Sequence, residues 1–429
     1  MVVIVSFITM SMLLAVPFAL LTSENIENES ILGAGTPTVA KIAAGENHTV
    51  TVKNDGTVWA SGYNGYGQLG DGTSTNRYSP VQVVGLTNVI GVSAGKDHTL
   101  ALKSDGTVWA WGRGNNGQLG DGTSTNRSTP VQVVGLTNVI DIAAGGLHSV
   151  ALKSDGTVWT WGYNTSGQLG SGSLTYTPRT IPAQVTGLTN VTAVAAGYAH
   201  TLALKSDGSV WAWGDNLYGQ VGYGTWALTF SSPIQVAVLS DITSIAAGLY
   251  HSVAVKDSNT VWAWGSNSDG ELGNGTTTNR NTPVQAIVNF GSPLTNVIDI
   301  GAGYYFTVAL RTDGTVWTWG DNYYGQIGDG TNTDRATPAQ VSGLSGISAV
   351  AAGGHMTLAL KNDGTKWAWG DNYYGQIGDG TTTRRTTPVQ VGVSNDNNSN
   401  LILIAGIIVA IAIVGVVAYK FIIQPRRRS

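Results

Sequence analysis

Apolar and polar positions alternate in short bursts along most of the chain, and the bursts recur. In one stretch Val139–Ala144 is an apolar run that ends in small residues. Two variable positions later, His148–Lys153 alternates, with His148, Val150 and Leu152 on one face. Asp155-Gly156 follows, then residues 157–162, where Trp159 and Trp161 share a face by the period of two. A glycine-rich loop leads to a fourth run, clearest in the preceding copy at 130–134, whose Pro130 suits an edge strand. Two β-patterned runs joined by Asp-Gly predict a hairpin with a type I′ turn. The pattern therefore predicts four short antiparallel strands, A to D, in each unit.

Seven units are present. Their marker glycines are Gly45, Gly95, Gly145, Gly197, Gly248, Gly303 and Gly353, spaced 50, 50, 52, 51, 55 and 50 residues apart. Four short strands repeated at about 50 residues make a propeller blade. A lone blade exposes two apolar faces, and a ring of blades buries both. The predicted fold is all-β, a seven-bladed β-propeller of four-stranded antiparallel blades over residues 37–393, plus one C-terminal transmembrane helix. The small Ala-Ala-Gly of strand A suits the crowded centre, and the tryptophans of strand C suit the wider outer space. Thirteen of the 14 Trp fall in that strand, which makes them core. Burying one contributes at most about 4–6 kcal/mol before entropy is counted.

The ends differ from the middle. Residues 1–23 open with an apolar stretch free of Lys and Arg and read as a signal peptide or an uncleaved anchor. Residues 24–36 are a polar, acidic linker and 394–400 a second polar linker. From Leu401 to Ile423 the chain is apolar except for Lys420 and long enough to span a bilayer, and the basic tail 424–429 carries Arg426, Arg427 and Arg428. The expected placement is a single-pass cell-membrane protein with the propeller outside and the C-terminus in the cytoplasm. A net charge of −4 and 11 % charged residues offer no basic stripe for nucleic acid. With no cysteine there is no disulfide, thiolate metal site or cysteine nucleophile.

The phrase A-A-G-x-x-H-(T/S)-x-A-L-K-x-D-G-x-V-W-x-W-G-x-N-x-x-G-Q-L-G resembles the repeat of the regulator of chromosome condensation family, over roughly Pro37 to Val393. The resemblance implies a seven-bladed propeller. The founding members act as guanine-nucleotide exchange factors on a small GTPase and bind chromatin, which gives one alternative function, an exchange-factor-like regulator of a GTPase. Secreted bacterial members, such as a propeller-type inhibitor of β-lactamase, are similar in architecture and dock through one face. The shared theme is protein binding without chemistry.

No residue set stands out as catalytic. His48, His98, His148, His200 and His251 recur after the Ala-Ala-Gly, but Phe306 and Met356 take that position in the last two copies, so it reads as core packing. The loops around Gly65, Gly67, Gly70 and Gly72 lack the Lys-Ser/Thr of a phosphate cradle. Asp71, Asp121, Asp329 and Asp379 stand one per loop, too few for a calcium site, and Ser171 or Asn274 replaces them elsewhere. The hairpin residues Asp55, Asp105, Asp155, Asp207, Asp313 and Asp363 read as turn formers, with Ser258-Asn259 in the fifth copy. The expectation is no enzyme, no cofactor and no metal.

Strand direction places the A–B turns and C–D loops on one face of the disc. That face holds the two variable residues after each Ala-Ala-Gly and the W-G-x-N-x-x-G segment, and it collects 12 of the 16 tyrosines. Tyrosine is enriched in binding hot spots. The predicted partner-binding residues are Tyr198, Tyr218, Tyr250, Tyr304, Tyr305, Tyr323, Tyr324, Tyr373 and Tyr374, with the last two copies as the centre. Tyr63, Tyr66 and Tyr163 complete the set on this face. A protein at the cell surface is the expected partner, and a cell-wall or other glycan stacked on the same rings is the alternative.

Overall fold

The computed structural model describes residues 41–288 and 291–392. Within them, 28 strands form seven four-stranded antiparallel sheets, each with its strands in chain order. The fold is an all-β seven-bladed propeller. The third blade is β9 (Val139–Ala144), β10 (His148–Lys153), β11 (Val158–Asn164) and β12 (Thr175–Gln184). His148 pairs with Gly162 and Ser149 with Trp161, so the alternation read from the sequence sets the register. The predicted ends 1–23, 24–36, 394–400, 401–423 and 424–429 lie outside the described residues. Among the described residues no helix is long and apolar enough to cross a membrane.

The core lies between blades. Trp161 of blade three is fully buried among Leu100, Leu102, Val108 and Leu119 of blade two. Trp111, Trp213, Trp264, Trp319 and Trp369 repeat this at five other joints. Each indole also donates Nε1–H to the preceding blade's backbone, as Trp161 does to the Gln118 carbonyl at 2.8 Å. The joint between blades seven and one differs. Ser61 stands where the other blades place this tryptophan, and the cluster there is Ile42, Ala44, Met356, Leu358, Ala368 and Ile377. Among the described residues no strand is exchanged between the first and last blades. They meet through side chains and two backbone bonds, Gly354 N–H to Gly45 O and Gly380 N–H to Tyr78 O, both 2.9 Å.

The Ala-Ala-Gly glycine has a steric cause. A Cβ on Gly145 would collide with the Gly197 carbonyl of the next blade and with its own His148 ring. Only glycine lets adjacent innermost strands approach this closely. Two aspartates on innermost strands reach across as well. Asp141 accepts the Val194 N–H at 3.1 Å and Asp299 the Val350 N–H at 3.2 Å. Burial raises their pKa values to about 7 and about 6.

Three local expectations are corrected. The Asp-Gly hairpin is not type I′, because Gly156 has positive φ (76°) and Asp155 does not. Gly156 N–H bonds to Lys153 O and Lys153 N–H to Thr157 O, a three-residue loop closed by a left-handed glycine. Asp155 Oδ1 accepts both the N–H and the hydroxyl of Thr157 instead of bending the chain itself. In the fifth copy Asn259 (φ 57°) takes the glycine's place. The outermost strand starts earlier than its proline, at Arg127 in the second blade, because Arg127 pairs with Gly112 across an irregularity in register. Finally, the recurrent histidine is core but not apolar packing. His148 Nε2 lies 2.9 Å from Thr201 Oγ1 of the next blade, whose hydroxyl donates to the Gln168 carbonyl. With that hydroxyl proton committed, the histidine must be the donor, which fixes a neutral ring protonated on Nε2. His48, His98, His200 and His251 repeat the bond to Thr or Ser.

Candidate partner-binding face

Backbone bonds fix the loops of this face in every blade. The residue after the glycine of strand C donates its N–H to the carbonyl of the second variable residue of the A–B turn. The pairs are Tyr63–Asn47, Arg113–Asp97, Tyr163–Leu147, Asp215–Ala199, Ser266–Tyr250, Asp321–Tyr305 and Asp371–His355, all at 2.8–3.0 Å. A buried asparagine staples the longer loop in six blades. Asn322 Oδ1 accepts the Ile327 N–H at 3.0 Å, and its Nδ2 donates to the Thr331 and Thr333 carbonyls at 3.1 Å. Asp329 is saturated by Thr331 and by Arg335 at 2.7 Å, so these aspartates close loops. Among the described residues no group of three or more His, Asp or Glu is placed to hold a metal ion. The scaffold is constant, and the side chains it displays are not.

The first variable residues, Glu46, Lys96, Tyr198, Leu249 and Tyr304 among them, rim a central cavity of about 90 Å³. Glu46 and Lys96 pair there at 3.3 Å. The nine predicted tyrosines fall into three groups. Tyr218 and Tyr250 stack at 4.9 Å between ring centroids, with Tyr198 and Tyr305 each 6.3 Å from Tyr250. Tyr304 and Tyr324 flank His355 at 5.4 and 4.6 Å, Tyr323 sits 4.9 Å from Tyr324, and Arg384 lies over Tyr324 at 4.4 Å. Tyr373 and Tyr374 join Tyr63, 4.9 Å from Tyr374, across the joint between the last and first blades. The six rings of the last two copies therefore belong to all three groups. Tyr323 and Tyr373 are 64 % and 70 % exposed, and the other seven are half-buried. Burial, with Glu46 close by, drives the Tyr304 hydroxyl far above the ordinary phenol range. Burial and the neighbouring Tyr250 push Tyr305 up to about 12. These rings stay neutral donors at any physiological pH.

Carboxylates lie among the rings. Asp97 pairs with Arg113 at 3.3 Å and Asp371 with Arg384 at 3.6 Å. Asp321 faces His355 at 3.6 Å; burial would raise it, but His355, the Tyr323 N–H and Gln326 together hold it below its ordinary value. Among the described residues Asp215 and Asp269 have no cationic partner. Asp215 accepts from Gln220 at 2.8 Å and Asp269 from Ser268 at 2.8 Å, and burial raises both pKa values. In blade five the acid moves to the amide's position. Ser266 stands at the aspartate position and Glu271 at the glutamine position, where burial raises Glu271 to about 7 against the Ser266 hydroxyl.

Six large apolar side chains that the repeat does not single out lie beside this face: Leu174, Tyr176, Leu217, Tyr223, Trp226 and Leu228, all well exposed. Their signal in the sequence is a departure. Four copies keep the loop Asp-Gly-Thr through Arg and a fifth opens it with Asn274, whereas the third and fourth read Ser-Gly-Ser-Leu-Thr-Tyr and Tyr-Gly-Thr-Trp-Ala-Leu.

The family described as the RCC1-like domain matches residues 134–416, and the regulator of chromosome condensation (RCC1) repeat matches 55–102 and 105–152. The chain is 34 % identical to the human probable E3 ubiquitin-protein ligase HERC6 over 184 residues, 41 % of this chain and 17 % of that protein. It is 32 % identical to the ultraviolet-B receptor UVR8 of Arabidopsis thaliana over 173 residues, 39 % of this chain and 38 % of the receptor. The matched part thus spans well under half of either relative. Yeast RCC1 (Prp20), solved with Kap60 bound, superposes with a TM-score of 0.71 at 22 % identity, covering 87 % of this chain and 92 % of that one. At that identity the likeness is one of fold. These matches lend no support to an analogy with secreted bacterial inhibitors.

Proposed function

Since the chain belongs to the RCC1 repeat family, we propose that it is a non-catalytic propeller that binds a protein partner through its tyrosine and carboxylate face. It does so at the outer surface of a cell, anchored by residues 401–423. One observation carries the binding reading. Seven identical loop-to-loop backbone bonds hold positions whose side chains differ from blade to blade. A fixed frame with variable contacts is what a recognition surface needs. Yeast RCC1, solved with Kap60 bound, supplies a precedent for protein binding by a protein that has this fold. The location rests on the apolar and basic pattern of the C-terminal stretch.

Capture of a surface protein by the full chain, abolished by Tyr323→Ala with Tyr373→Ala or by Asp215→Asn, is the expected result. Equal capture by wild type and all variants would move binding off this face. Protease treatment of intact cells tests the location: the propeller should be cut, and full protection would place it inside. A glycan array read with the same variants separates a sugar ligand from a protein one.

A further inference from the structure

In five blades the loop before strand D is polar. In four of these an acid and an arginine close it: Asp71–Arg77, Asp121–Arg127, Asp329–Arg335 and Asp379–Arg385. Blades three and four abandon that closure. Their loops, 171–181 and 223–230, hold no acid and one base, Arg179, and turn large apolar side chains outward. Tyr176 is 88 % exposed, Leu228 66 % and Trp226 55 %. Trp226 is also the one tryptophan of the chain outside the strand C motif. Nothing in blade packing asks for these side chains, and exposing them together works against solubility.

The residues form a continuous surface with the tyrosine face. The Leu174 side chain reaches the backbone of Gly167 beside Phe230 and Ser231 of the next blade. Tyr223 and Phe230 pack edge to face at 5.9 Å. Asn216 N–H bonds to the Leu228 carbonyl at 2.8 Å, and its Nδ2 donates to Ala227 at 2.7 Å. That ties the Trp226 loop to the 215–218 loop, which carries Asp215, exposed Leu217 and Tyr218. From Tyr218 the surface runs to Tyr250 and Tyr305, with Asp215 on one side and Asp269 on the other. Among the described residues neither has a cationic partner.

We propose that blades three to five hold the docking centre for a protein segment that sets a large apolar side chain beside an arginine or lysine. The proposal rests on the protein-binding reading above and gives it a place and a chemistry. The apolar side chain covers Trp226, Leu228 and Leu217. The cation stacks on the Tyr218–Tyr250 pair and neutralises Asp215 and Asp269, which already lie half out of water. A lipid surface fits less well. Interfacial anchors combine apolar residues with several bases, and this patch pairs them with carboxylates.

The test uses the full chain in detergent and an array of synthetic peptides in which Trp or Leu is flanked by Arg, Lys, Ser or Glu. Peptides flanked by Arg or Lys should bind, and more weakly as salt rises. Trp226→Ala with Leu228→Ser should weaken them about tenfold or more. Asp215→Asn should weaken them severalfold and flatten the salt dependence. Val84→Ser, which removes an exposed apolar side chain of the first blade that is not part of this face, should leave them unchanged. Trp226 is exposed, so its removal should not move the melting temperature, which excludes misfolding as the cause. Equal binding of Glu-flanked peptides, indifference to Trp226, or no peptide binding at all overturns the proposal. Trp226-dependent binding to phosphatidylcholine or phosphatidylglycerol vesicles without peptide binding overturns it in favour of lipid. If surface-protein capture depends on Tyr323 and Tyr373 but not on Trp226, the face reading stands and the docking centre falls. If neither pair matters to capture, both fall.

Discussion

Replacing His148 with phenylalanine should reverse the sign of its effect between neutral and acid pH. The sixth blade shows that the site accepts the ring: Phe306 is fully buried there, and Thr357 still donates to the Gln326 carbonyl at 2.8 Å. At pH 7.5 the variant loses one buried bond, His148 Nε2 to Thr201, worth about 1 kcal/mol. In acid the balance turns. Complete burial lowers the His148 pKa from 6.5 to about 3. Between those values the unfolded chain binds the proton and the folded one does not, so stability is lost as pH falls, by about 1.4 kcal/mol per unit. By pH 4.5 the wild type has lost about 2–3 kcal/mol at this residue. The phenylalanine variant has no such loss and should be about 1–2 kcal/mol the more stable there. Urea unfolding followed by tryptophan fluorescence at pH 7.5, 6 and 4.5 measures this. Taking the difference between the two proteins removes the contributions of Asp141 and Asp299, whose raised pKa values act in the opposite direction. A difference that stays constant across the range would refute the buried, neutral latch.

Other expectations follow from the same geometry. Glu271→Gln restores the residue found in the other six blades; because burial raises the folded pKa from 4.5 to about 7, wild-type stability falls as pH climbs through that window. The variant should therefore gain about 3 kcal/mol at pH 8 and nothing at pH 4, read as a shift in urea midpoint. Gly145→Ala should cost about 2–3 kcal/mol because its Cβ meets the next blade's backbone. Gly85→Ala, with open space around it but φ of 69°, should cost about 1 kcal/mol. Trp161→Ala should cost about 3–5 kcal/mol in thermal or chemical unfolding, since the fully buried indole also satisfies the Gln118 carbonyl.

Period-two alternation made strands A, B and C legible almost to the residue, as in β9 and β10. Alternation states which side chains share a face, and in a propeller both faces are buried, so the tryptophans announced the core. It does not state what lies opposite. The partner of His148 is Thr201, 53 positions away on another blade, and the contrast of histidine with Phe306 and Met356 suggested an apolar site that is in fact a hydrogen-bonded one. The turn was misread for a similar reason. Asp-Gly is shared by two hairpin geometries, and only φ at Asp155 separates them. On the candidate face, strand direction located the tyrosines. Their division into three groups depends on which neighbouring blade each ring leans toward, as with Tyr374 reaching Tyr63. The apolar surface around Trp226 was legible as an exception to the repeat, and a search for what copies share passes over exceptions.

The joint between the first and last blades gives the ring a clasp. Each blade is one continuous stretch of chain, so the clasp can part without either blade unfolding. Six joints are locked by a buried indole, and among the described residues the seventh has Ser61 in its place. The same joint brings together Tyr63 and Tyr374, and Gly354 and Gly45, all on the loop face. Opening there would spread the rim of the disc like a cut washer, changing the spacing of the side chains a partner touches. A ligand that bridges the first and last blades would close the clasp as it bound, and the ring's stiffness would then report whether it is occupied.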